Sequence, residues 1–288
     1  MSTEIVSFQS LLPRYRAIFF DAFGVLRGPA GLIAGVDGVL SSLGQKGPPF
    51  WLITNSASYP PAYLASQYGD FAGKPLMSIP QVISSGMFFS QAVKAPEEGA
   101  LALYLGQPKS EHYLLEAGFE PIRVENLAML SSAQIQKVKA FALMDSMFDW
   151  KLLMSPAINF LRRHPHLPLY CPNPDLVFYG GEDRVEVGPG ALAQMMGQIL
   201  GREFRSFGKP DAKIFELAFS QARLQIPDLK PSEVLMVGDN LLTDVLGAQS
   251  LGIDSVLVLS GNTTLAMLET EIKRIGATPT FIARSIAT

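Results

Sequence analysis

The chain has 288 residues, 48% hydrophobic and 17% charged, with a net charge of −3 and one cysteine, Cys171. That length and apolar content imply two domains, or one domain with an insertion, around a sizeable core. The charge balance excludes a basic surface for nucleic acid or anionic membrane, and one cysteine excludes an internal disulfide framework and fits a reducing cytoplasm.

The uncharged stretch 47–69 is interrupted by Pro48, Pro49, Pro60 and Pro61, so it does not read as a transmembrane helix. No basic segment precedes an apolar one near the N-terminus, so no signal peptide is expected.

Short apolar runs alternate with segments of helical periodicity, the pattern of βαβ units and a mainly parallel sheet. Residues 17–20 read as a strand, 35–43 as a short amphipathic helix, 50–53 as a strand ending at Thr54-Asn55-Ser56, and 61–68 as a helix. In the middle, 101–105, 140–144 and 167–170 are strand candidates with helical stretches between them. Further on, 213–224 puts Ile214, Leu217, Ala218 and Ala222 on helical spacing. Residues 234–237 form a strand ending at Gly238-Asp239, 243–251 a helix, and 255–259 a strand. The expected division is 1–80 and 205–288 as two parts of one α/β domain, with 81–204 an inserted α/β domain.

Four pieces sit just after strands or beside helix starts: Asp21, Thr54-Asn55, Lys209, and Asp239 with Asp244. Phosphoryl transfer needs a nucleophile, and a carboxylate serves by forming an aspartyl-phosphate. It needs a divalent cation, for which Asp oxygens suit Mg²⁺. It also needs a cation and hydroxyl or amide donors on the phosphoryl oxygens, where Lys, Thr and Asn fit. Singly, these residues are what turns, helix caps and solvated surfaces use. Together they make a complete inventory for binding and attack.

The motifs resemble those of the haloacid dehalogenase (HAD) superfamily of phosphotransferases and phosphatases. They run Ile18-Phe19-Phe20-Asp21-Ala22-Phe23-Gly24-Val25-Leu26, Leu52-Ile53-Thr54-Asn55-Ser56, Phe207-Gly208-Lys209-Pro210, and Val237-Gly238-Asp239-Asn240-Leu241-Leu242-Thr243-Asp244. The insertion, with Asn173-Pro174-Asp175 and Gly188-Pro189-Gly190, is similar to the large α/β cap of the p-nitrophenyl phosphatase and sugar phosphatase subgroup.

The resemblance implies a Rossmann-like, doubly wound, mainly parallel sheet core with an inserted α/β cap domain. It implies Asp21 as nucleophile and Mg²⁺ ligand, a Phe23 backbone carbonyl and Asp239 as further Mg²⁺ ligands, and Thr54 and Asn55 on the phosphoryl group. Lys209 would neutralise Asp21 and phosphate, with Asp244 and Asn240 in support. The substrate would be a small phosphorylated metabolite such as a sugar phosphate. A homodimer formed through the cap is expected from the subgroup.

Phe23 departs from the pattern. The family's phosphatases carry an Asp there, which protonates the leaving oxygen and then activates water. Losing that general acid–base costs a factor of about 10²–10⁴ in rate. Three readings stay open: slow hydrolysis, or hydrolysis of a substrate with a good leaving group; an acid supplied by the cap, from Asp175, Glu182 or Asp183; or binding of a phosphometabolite without turnover, as in a sensing protein.

Other residues read more plainly. His164-Pro165-His166 is expected in a surface loop, Cys171 as a small buried residue, and Arg162-Arg163 as a solvated helix end. Arg27 is either part of a plain loop or the tip of a flap that meets substrate.

Overall fold

Six strands whose side chains are covered on both faces build one all-parallel sheet. In spatial order they are Phe281–Ala283, Asp254–Val258, Val234–Gly238, Ala17–Phe20, Phe50–Thr54 and Val82–Ser84. The three central strands are buried along their whole length. Their unbroken apolar sequence follows from that, since each face packs against helices. The structure is a computed structural model that describes residues 4–181 and 184–288.

The chain enters at a central strand, runs to one edge, then returns to fill the other. The reversal lies at Ala17–Phe20, and a doubly wound sheet opens its binding crevice at the carboxyl ends of the strands on either side of such a point.

A second parallel sheet follows the order Arg205–Ser206, Leu169–Cys171, Val138–Leu143, Leu101–Leu105, Glu120–Arg123. An antiparallel hairpin, Val177–Gly181 with Arg184–Val187, projects from it. A smaller hairpin, Arg27–Gly28 with Gly31–Leu32, follows the first strand.

One apolar cluster runs from Phe19, Trp51 and Phe215 under the first sheet, through Phe88, Phe89 and Phe207, to Tyr104 and Tyr113 beside the second. Phe207 sits edge-on to Phe88 and Phe89, each at 5.3 Å between ring centres. Among the described residues, no helix is long and apolar enough to cross a membrane.

Sequence and structure differ where elements are short. Val82–Ser84 pairs with the first sheet and Arg205–Ser206 with the second, so the strands change sheet a few residues beyond 80 and 204. Strands of three and two residues carry too little alternation to read. The helix expected over 243–251 begins as a wide turn, Leu241–Val245, before Leu246–Ser250 becomes α-helical.

Phe207 is the aromatic that ties the two sheets' packing together. Phe207→Ala should lower stability by about 3–5 kcal/mol, read as a drop in the denaturant midpoint. A change under about 1 kcal/mol would show that the two sheets do not depend on this layer.

Candidate active site

Asp21 follows the buried strand Ala17–Phe20, and its backbone N–H donates to the Val237 carbonyl at 2.9 Å. That bond fixes it across from Gly238-Asp239 on the neighbouring strand. Lys209 reaches the same spot from the loop before the helix Ala212–Ala222. Its Nζ lies 2.5 Å from Asp21 Oδ1 and 2.7 Å from Asp244 Oδ1, with the Lys209 side chain 2% exposed. Burial alone would lower the Lys209 pKa, but the two carboxylates outweigh it and hold the ammonium charged.

Asp239 and Asp244 sit in a fold of backbone that only small residues allow. Both the Asp239 and Asn240 N–H groups donate to Asp244 Oδ2, at 3.2 and 3.1 Å. A Cβ on Gly238 would lie 2.2 Å from the Asp244 side chain. A Cβ on Gly24 or on Gly261 would lie 2.0 Å from Asp239 Oδ2, and Gly24 adds a φ of +77° that favours glycine. Asn240 caps the following turn by accepting from the Leu242 N–H.

Thr54 ends its strand buried, with its hydroxyl accepting from the Ser56 N–H at 3.2 Å. The Asn55 side chain is fully engaged. Its amide nitrogen donates to Asp175 Oδ1 (2.8 Å) and to the Lys209 carbonyl (3.0 Å), while its oxygen accepts from the Lys209 N–H (2.7 Å). Asn55 thus holds Lys209 in place, with its side-chain amide committed to that contact. A Cβ on Gly208 (φ +99°) would fall 2.4 Å from Asn55 Oδ1, so this contact requires glycine there.

Phe23 turns its ring toward the second sheet's hairpin, 6.1 Å from Phe178, with the Arg27 guanidinium 5.3 Å from its centre. These residues, with Asp21, Thr54, Asp175, Lys209 and Asp239, line one cavity of about 260 Å³.

The donor set suits a hard divalent cation. Carboxylate oxygens of Asp21, Asp239 and Asp244 all lie within 4.8 Å of one another. Asp239 Oδ1 is buried and receives no hydrogen bond. Burial, then repulsion from Asp21 and Asp244, pushes Asp239 well above the usual carboxylate range, a strain that a bound cation would relieve.

Sequence reasoning brought Asp21, Thr54, Asn55, Lys209, Asp239, Asn240 and Asp244 together, and the structure places all of them at this cavity or directly behind it. It missed Asn262, whose backbone and side-chain N–H groups both donate to Asp239 Oδ2, at 2.7 and 2.9 Å. Ser260-Gly261-Asn262 follows the strand Asp254–Val258, so the same strand-then-turn logic points to it. It also missed Asp145, which lines the cavity from the second sheet and accepts from the Gln107 and Met147 N–H groups.

Of the three cap acids considered, Asp175 faces the cavity; Glu182 and Asp183 lie outside the described residues. The readings of Cys171 and of His164 hold. Burial pushes the Cys171 thiol up to about 12, and His164 stacks on Phe160 beside an exposed turn.

Burial raises Asp244 to about 6 and Asp175 to about 7, each only partly offset by its hydrogen bonds and by Lys209. An unfolded Asp titrates near 4. Because the folded values are higher, the protonated forms favour the fold, and this contribution is lost as pH rises from about 4 through about 7. The melting temperature of metal-free protein should fall over that window, and Mg²⁺ should restore most at its upper end. Asp175→Asn should flatten part of the fall. No stabilisation by Mg²⁺ at about pH 8 would contradict the assignment of this acidic cluster.

A haloacid dehalogenase-like hydrolase family model matches residues 18–120, and an HAD-hydrolase-like model matches residues 206–288. Glycerol-3-phosphate phosphatase from Gallus gallus is 28% identical over 272 residues, covering 89% of this chain and 83% of that protein. A crystal structure from Cytophaga hutchinsonii described as a possible sugar phosphatase of the HAD superfamily superposes with a TM-score of 0.89 at 36% identity, covering 100% of this chain and 99% of that one. A glycerol phosphate phosphatase from Mycobacterium tuberculosis, solved with magnesium, shares the fold at a TM-score of 0.71 and 20% identity, over 98% of this chain and 78% of its own. With the strand order and the motif residues in place, this chain belongs to the haloacid dehalogenase superfamily and is a phosphohydrolase.

Proposed function

We propose that the protein hydrolyses a small phosphomonoester through an aspartyl-phosphate on Asp21, with Mg²⁺, beneath a cap formed by the inserted second sheet and its hairpin. The observation that carries this reading is the meeting of Asp21 with Lys209 at 2.5 Å beside Asp239, whose Oδ1 has no partner.

Lys209 Nζ pairs with Asp21 Oδ1, and the other carboxylate oxygen of Asp21 would attack phosphorus. The new bond joins an Asp21 oxygen to phosphorus while the bond to the ester oxygen breaks. The Thr54 hydroxyl and the Asn55 backbone N–H would donate to the phosphoryl oxygens as charge builds there. Asp21, Asp239 and the Phe23 carbonyl would hold Mg²⁺, which when bound supplies further neutralisation of the phosphoryl group. Asp244 accepts from the Asp239 and Asn240 N–H groups and pairs with Lys209, which suits a supporting role.

The departing oxygen must gain a proton, and Phe23 cannot give one. Asp175 opens into the same cavity with a pKa of about 7, raised by burial, so it can carry a proton near neutrality. This favours slow or specialised hydrolysis. The ring at position 23 is also the one feature that favours a second, less supported reading, a protein that binds a phosphometabolite and does not turn it over.

Phosphate release from a panel of phosphomonoesters and acyl phosphates separates the two. Asp21→Asn should lose essentially all turnover, by a factor of at least ~10³, and chelating Mg²⁺ should do the same. Wild type no faster than Asp21→Asn across the panel, while still binding phosphate analogues, would favour the binder. Phe23→Asp should raise p-nitrophenyl phosphate hydrolysis by up to ~10². A folded, metal-binding Phe23→Asp variant with no gain would show that the missing acid is not what limits the rate.

A further inference from the structure

Two basic side chains line the cavity, Lys209 and Arg27. Lys209 is committed, bound between Asp21 and Asp244. Arg27 is not. Its backbone is tied into the turn that carries Phe23: the Arg27 N–H donates to the Ala22 carbonyl at 3.0 Å, and its carbonyl accepts from the Gly24 N–H at 2.8 Å. The side chain lies along the Phe23 ring face, with Nε buried and unpartnered. Among the described residues, no carboxylate lies within ion-pair distance of Arg27.

Two further acids in the cavity wall are engaged elsewhere. Asp145 is held by the Gln107 and Met147 N–H groups, and Asp175 by Asn55. An aromatic face offsets only part of what a guanidinium loses when it leaves water. What it does provide is a face against which a planar, two-pronged donor packs, in the wall of the cavity that Asp21 also lines.

Resting on the phosphatase reading, we propose that Arg27, steadied by Phe23, binds a second anionic group on the substrate, carried by the part that leaves with the ester oxygen. The residue that removes the usual acid thereby sets up a specificity contact. The cavity, at about 260 Å³, is small for a ligand site, so this second group must lie close to the phosphoryl group.

Matched substrates test this. 3-Phosphoglycerate and glycerol 3-phosphate differ by a carboxylate against a hydroxymethyl group. Glycerol 2,3-bisphosphate and glycerol 3-phosphate differ by a second phosphate on the adjacent carbon. Both kcat/KM from phosphate release and Kd by calorimetry on the Asp21→Asn form would be measured, with and without Arg27→Gln and Arg27→Lys. We expect the anionic member of at least one pair to be favoured by about 10- to 100-fold, mostly in KM and Kd. Arg27→Gln should erase that preference without weakening the neutral member more than about 3-fold, and Arg27→Lys should keep part of it. The pair that shows it distinguishes carboxylate from phosphate.

Equal loss for both members of each pair, or no preference in wild type, would overturn the inference. Should wild type release no phosphate from any compound, the phosphatase reading fails, and the Kd comparison still decides the role of Arg27.

Discussion

The site depends on one buried ammonium held between two carboxylates. Lys209 reaches Asp21 and Asp244 from a different part of the chain than either, and its side chain is 2% exposed. A cation so enclosed is tolerable only with its partners in place, and deleting one partner of such a group typically costs about 3–5 kcal/mol. The surrounding architecture serves to keep this contact. Asn55 clasps the Lys209 backbone from both sides, and Gly208 leaves room for the clasp. Gly238 lets Asp244 fold back against its own strand end.

Topology explains how such distant residues meet. Asp21, Thr54 and Asp239 each stand at the carboxyl end of a parallel strand, on three neighbours at the centre of the sheet. Strands that end level put their last side chains in one crevice, whatever their separation in sequence. The second sheet then roofs the crevice with Asp145, Asp175 and Phe178, and the aromatic cluster through Phe207 fixes how the roof sits.

The core was legible because its strands are buried on both faces. Uninterrupted apolar runs such as 17–20 and 234–237 admit little else, and the charged or hydroxyl residue that ends each one is conspicuous. The paired strands Val177–Gly181 and Arg184–Val187 were not legible: the first is half-buried and the second exposed throughout, with no alternation between faces. Val82–Ser84 and Arg205–Ser206 are too short to show a period, and their pairing is decided by neighbours far away in the chain. At the site, the residue types announced themselves, but the use of each did not. The engagement of the Asn55 side chain, the hold of Asn262 on Asp239, and the position of Asp175 beside Asn55 are facts of three-dimensional contact. No local pattern encodes them.

Phe23 gives the account its sharpest consequence. With a leaving group that needs no proton, such as p-nitrophenolate, Phe23 impairs only the activation of water, so the covalent intermediate forms faster than it is hydrolysed. Radiolabelled phosphomonoester mixed with the Mg²⁺-loaded protein, quenched in acid and digested, should leave phosphate on the peptide that carries Asp21, in stoichiometric amount during turnover. Phosphate release with no label on that peptide, or with label on another residue, would contradict attack by Asp21.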